Sequence, residues 1–147
     1  MSQSAKLLKD FGVTVLLEAE RGYHLIFKEP NVTLKNSILD ADNKFVSSSM
    51  EMGMRSAGTA EFAGVDAPPN YKRALIFKNH AKSLFPKLNT SSVQEWMGRR
   101  PSPPDSVPYI GEVPGYPGLF YGFGHAHLGL TGAPMTGRMI AALASQE

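Results

Sequence analysis

The chain has 147 residues, 42% apolar and 19% charged, the composition of an ordinary folded domain with room for one modest core and a small second lobe. Its formal charge of +2 and scattered basic residues leave no footprint for nucleic acid. Without cysteine it has no disulfide and no thiolate metal site, and no stretch approaches the roughly 20 apolar residues of a membrane span, so a soluble cytoplasmic protein is expected.

Residues 4–11 predict a helix: Ser4 serves as its cap, Leu7, Leu8 and Phe11 share a face, and Gly12 stops it. Residues 13–17 (VTVLL) are apolar and rich in β-branched types, predicting a buried strand; 18–21 (EAER) predict a charged turn, and 23–27 (YHLIF) a second strand that Pro30 ends. Strand patterns follow over 36–39, 44–50 and 54–62, with DADN at 40–43 as turn chemistry. Alternation of Met50, Met52 and Met54 predicts one face packed with flexible thioethers. The run DAPPN reads as a rigid turn in which Asn70 caps a helix over 71–85, its apolar face carrying Ala74, Leu75, Phe77, Ala81, Leu84 and Phe85.

Residues 93–97 predict a strand leading into Gly98-Arg99-Arg100-Pro101, and the prolines over 102–108 exclude regular structure there. Short strands over 109–111 and 119–123 flank the turn PGYPG. The stretch 121–138, YGFGHAHLGLTGAPMTGR, is the centre of the chain: an aromatic strand, a turn with two histidines, and a helix start with Thr131 as cap and Pro134 in its first turn. Gly122, Gly124, Gly129 and Gly132 lack Cβ atoms where a ligand or another backbone comes close. Unpaired amides at such a start suit an anion or an electron-rich ring edge. Met135, Met139, Ile140 and Leu143 then form one stripe. The expected fold is α+β: an antiparallel or mixed sheet of about four or five strands with a packing helix, a Pro/Gly-rich return segment, and a C-terminal strand–turn–helix unit.

Among side chains suited to chemistry, Arg100 stands against a proline run, and its planar fork can grip a carboxylate; pairing with Glu95, Asp105 or Glu112 at the surface is the alternative. His125 and His127 point the same way if the segment is extended. A metal site there lacks further ligands at a recognisable spacing, and bonding to nearby backbone is the simpler reading. Tyr23 and His24 face opposite sides of one strand, one core and one available to a pocket. Glu61 reads as a partly buried carboxylate, and Trp96 as a core anchor. No nucleophile–base set, phosphate loop or dinucleotide glycine fingerprint is present.

Five stretches in order, LEAERGYHL (17–25), MRSAGTAEFAG (54–64), DAPPNYKRA (66–74), WMGRRPSPPDSVPYIG (96–111) and YGFGHAHLGLTGAPMTGRMIA (121–141), resemble the FAD-dependent D-amino-acid oxidase and dehydrogenase family, which includes glycine and sarcosine oxidases. The resemblance covers nearly the whole chain and is closest to the D-amino-acid dehydrogenase-like branch. It implies the C-terminal portion of such an enzyme, without the Rossmann-type FAD domain: residues 1–12 as an edge of that domain, 13–97 as a substrate-domain sheet and helix, and 98–147 as a flavin-edge segment. It implies an amino-acid substrate, FAD as cofactor, and hydride transfer from the substrate Cα to flavin N5. By the same resemblance Arg100 holds the substrate carboxylate, His127, Glu61 and Tyr23 line the substrate pocket, and Gly124, His125, Ala126, His127, Leu128, Gly129, Leu130 and Thr131 wrap the flavin edge. Arg99 departs from the apolar residue commoner at its position. An FAD-binding half or a second copy of the chain is the implied partner, and a non-catalytic binding module is the alternative function.

Overall fold

The computed structural model describes residues 3–145. They divide into two compact units, one made of residues up to 20, 62–66 and from 99 onward, the other of 21–61 and 67–98.

Most residues of a five-stranded sheet, in the order β2-β3-β4-β1-β5, fall in the second unit. Its strands are β1 (Glu18–Phe27), β2 (Ile38–Asp40), β3 (Phe45–Met50), β4 (Gly53–Phe62) and β5 (Val93–Ser102), with helix α2 (Lys72–Leu84) between β4 and β5. β3 pairs antiparallel with both β2 and β4. Alternation on β1 turns Tyr23, Leu25 and Phe27 inward to meet Phe45, Met54 and Leu88, and α2 adds Ala74, Phe77 and Ala81 from one face. Gly53 follows the β3–β4 turn at φ +126°, and any Cβ there would strike the carbonyl oxygen of Phe27.

Several expectations are corrected. Residues 13–17 alternate between half-buried and exposed but join no sheet, and EAER begins β1 instead of turning. Charge did not break the strand because Arg21 is fully buried among partners and Glu20 has partners of its own. Met54 is buried whereas Met50 and Met52 are exposed, since Met52 sits in the tight turn between β3 and β4. Leu75 and Leu84 lie on the exposed side of α2. Asn70 does not cap α2; Tyr71 occupies that position without a side-chain bond, and the Asn70 amide donates to the Tyr23 hydroxyl. Trp96 is 48% exposed, with its ring over Gly98 and stacked on His24 at 4.6 Å.

The first unit holds α1 (Gln3–Asp10), the antiparallel pair β6 (Tyr109–Glu112) and β7 (Phe120–Phe123), a 3-10 turn (Ala126–Leu128) and α3 (Gly129–Ala144). Helix α3 packs on both strands. Gly122 permits this, because a Cβ there would come within 2.8 Å of Thr136 Cγ2. No helix among the described residues is long and apolar enough to cross a membrane.

Candidate functional site

Within the first unit, the start of β1, the end of β5 and the turn before α3 border one hollow of about 280 Å³. Glu18, Glu20, Phe62, Ser102, Pro103, Pro104, Ser106 and residues 125–128 line it. Arg100 lies inside β5 and not beyond a strand end, as the sequence had suggested, because the strand runs on through Gly98-Arg99-Arg100-Pro101.

The expected partners of Arg100 are not its partners. The Asp105 carboxylate accepts from the Val107 amide, and Glu112 accepts from the Gly118 amide. Arg100 Nη1 instead lies 3.7 Å from Glu20 Oε1. The other oxygen of Glu20 accepts a 2.7 Å bond from the Ser102 hydroxyl and lies 4.0 Å from His127 Nδ1. Glu20 thus gathers Arg100, Ser102 and His127, and sequence reading missed it. Its signal was there: Glu18 and Glu20 have the period-2 spacing of a strand, obscured once EAER was taken for a turn.

The two histidines do not share a side, because the segment is coiled into a 3-10 turn. His125 Nε2 is 2.7 Å from the Thr136 hydroxyl, which itself donates to the Gly132 carbonyl at 3.1 Å. A hydroxyl has one proton to give, so His125 must carry its hydrogen on Nε2. His125 therefore buttresses the helix start, and a Cβ on Gly132 would approach its ring at 3.0 Å. At Gly122 and Gly132, then, the missing Cβ makes room for the protein's own side chains. Gly124 adopts φ +84° and Ala126 φ +47°, a left-handed pair that brings the chain round tightly.

Helix α3 starts at Gly129, earlier than expected, with Leu128 before it and no capping side chain. Thr131 falls in the first turn, and Pro134 inside the helix. Leu130, in the first turn of α3, is 94% exposed, and the leading amides of a helix have no partner within it. Such a helix start, at the positive end of the dipole, suits an anion or an electron-rich ring edge.

Tyr23 and Glu61 belong to a different cluster, in the second unit. The Tyr23 hydroxyl donates to Glu61 Oε2 at 2.6 Å and accepts from Arg21 Nη2 at 3.1 Å and from the Asn70 amide at 3.0 Å. Arg21 also donates to the Pro68 carbonyl and lies 3.3 Å from Glu61 Oε2, while Arg73 Nε donates to Glu61 Oε1 at 3.0 Å. The Tyr23 hydrogen bond, then the Arg73 bond and the charges of Arg21 and Arg73, hold the Glu61 carboxyl below its ordinary range, with partial opposition from desolvation. On the opposite face of β1, burial and Arg55 lower the pKa of His24. No group of three His, Asp or Glu side chains among the described residues is placed to hold a metal.

Residues 2–143 match the family model described as FAD dependent oxidoreductase. The chain is 42% identical, over 98% of its length, to the D-amino-acid oxidase of Bradyrhizobium diazoefficiens, and 36% identical, over 93%, to a D-amino acid dehydrogenase of Paramagnetospirillum magneticum. It spans 35% and 30% of those relatives. Among solved structures, a glycine oxidase from Geobacillus kaustophilus superposes with a TM-score of 0.76 at 21% identity, covering 97% of this chain and 39% of that one. That likeness is one of fold.

Proposed function

This chain belongs to the FAD-dependent oxidoreductase family, and on that premise we propose that it supplies the substrate-binding and flavin-edge part of an enzyme that removes hydride from the Cα of an amino acid. One observation supports the reading: Glu20, on the wall of the hollow that the turn before α3 also lines, has Arg100 at 3.7 Å and His127 at 4.0 Å. FAD, when bound, supplies the hydride acceptor. The chain's own contribution is position and charge. Arg100 forms a two-pronged bond to the substrate carboxylate and fixes one end of the molecule. The amides of Gly129, Leu130 and Thr131 meet negative charge at the ring edge without reorganising, because His125 and Thr136 already brace the helix start. Pro103, Pro104 and Phe62 supply apolar wall, which keeps water from competing for those polar groups.

The test is flavin absorbance and fluorescence on mixing FAD with the purified chain, followed by bleaching with a D-amino acid. Perturbed absorbance and quenched emission are expected, and Arg100→Met should weaken amino-acid binding by roughly ten- to a hundredfold, the range for losing a hydrogen bond to a charged group. No flavin perturbation at high micromolar FAD overturns cofactor binding by this chain alone. A second reading, a binding module that pairs with another polypeptide, is favoured by the open apolar stripe of α3, and its measure is the particle mass in solution.

A further inference from the structure

Glu20 is an awkward residue for a structural role alone. Its side chain is only 14% exposed, and one oxygen is satisfied by Ser102. Among the described residues no donor hydrogen-bonds the other oxygen, whose nearest charge is Arg100 at 3.7 Å, too far for a hydrogen bond. Glu18, which lines the same hollow, is different: its carboxylate accepts from the Ala19 amide. Glu20 on the wall of the hollow and Arg100 beside it therefore set a mostly desolvated carboxylate and a guanidinium side by side, loosely paired, each with unused bonding capacity.

We propose that Glu20 recognises the α-ammonium group of the substrate, so that the site selects zwitterionic α-amino acids over the corresponding 2-hydroxy acids. The proposal rests on the reading of Arg100 as the carboxylate clamp. An α-amino acid carries its carboxylate and its ammonium on one carbon, and the Arg100–Glu20 pair offers the opposite charges side by side. Binding exchanges one loose ion pair for two charge-assisted contacts: substrate carboxylate to Arg100, substrate ammonium to Glu20. A 2-hydroxy acid makes the first contact and draws Arg100 from Glu20, but returns no positive charge to the partly buried carboxylate. The discrimination thus comes from the penalty on the wrong ligand as much as from contact with the right one. Until substrate arrives, Glu20 stands in for the substrate carboxylate at Arg100.

Calorimetric titration of the purified chain with D-alanine and with D-lactate, which share a carboxylate and a methyl group, tests this. Wild-type protein is expected to prefer D-alanine about tenfold or more. Glu20→Gln, which keeps an acceptor for Ser102, should weaken D-alanine and tighten D-lactate, since the internal competitor for Arg100 is gone; the preference should fall to twofold or less. Arg100→Met should weaken both ligands, by roughly ten- to a hundredfold. Equal affinities in wild type, or parallel weakening of both ligands in Glu20→Gln, overturns the assignment of Glu20 while the clamp stands. If neither acid binds wild type, the clamp fails and this inference falls with it. The wild-type ratio decides the matter even if Glu20→Gln does not fold.

Discussion

The phenol of Tyr23 bonds to Glu61, Arg21 and the Asn70 amide, all from a position 2% exposed. Tyr23→Phe keeps the ring and its edge-on contact with Tyr71 but strips those partners of the oxygen. It should cost about 1–3 kcal/mol in urea unfolding, the penalty for leaving buried polar groups unsatisfied, and a loss below about 0.5 kcal/mol would show that water replaces the hydroxyl. Glu61 adds a pH signature. Its carboxyl is held below the ordinary range, so the folded state favours the ionised form. That stabilisation is fully present above the ordinary glutamate range and is lost as pH falls through the lowered folded value. Thermal melts should therefore show wild type losing more stability on acidification than Glu61→Gln, and superimposable pH profiles would dismiss the cluster as a source of acid sensitivity.

Elements show the same physics in their packing. β7 approaches α3 at Gly122, where a Cβ would lie 2.8 Å from Thr136 Cγ2. Gly122→Ala should destabilise by about 1–3 kcal/mol through overpacking, and Thr136→Ser, which removes the methyl but keeps the hydroxyl for His125, should recover most of that loss. Additive effects in this double-mutant cycle would place the strain elsewhere. Local pattern made much of the architecture legible beforehand: alternation set Tyr23 and His24 on opposite faces of β1, and helical period with a following proline marked α2. The turn before α3 and Arg100 were legible from their motifs. What stayed hidden depended on distant partners. Glu20 is held by a hydroxyl 82 residues away, and Arg21 by Glu61 and a proline carbonyl, so a charged run that reads locally as a turn is a strand in the fold. Trp96 misled for a related reason: its ring is covered by its neighbour on β5 and by His24, without entering the core.

At the level of the molecule, the apolar surface of the first unit is the feature its own fold leaves unexplained. Helix α3 buries none of its described residues, and Met135, Met139 and Leu143, spaced four apart on one face, are 57%, 44% and 37% exposed. Single exposed apolar residues are ordinary, but a stripe along one helix is a contact surface. The chain spans about a third of the length of those relatives, and the reading of this chain as a binding module predicts that the stripe pairs with a second copy. Light scattering at tens of micromolar should give a mass above the 16.0 kDa of one chain, and Met139→Glu, which puts a charge in the centre of the stripe, should return the particle to that mass without loss of helix by circular dichroism. If wild type is already monomeric but binds an apolar dye that Met139→Glu no longer binds, the surface is real and its occupant is not a second copy. A wild-type monomer without dye binding means the stripe associates with nothing in solution, and the partner-binding reading fails.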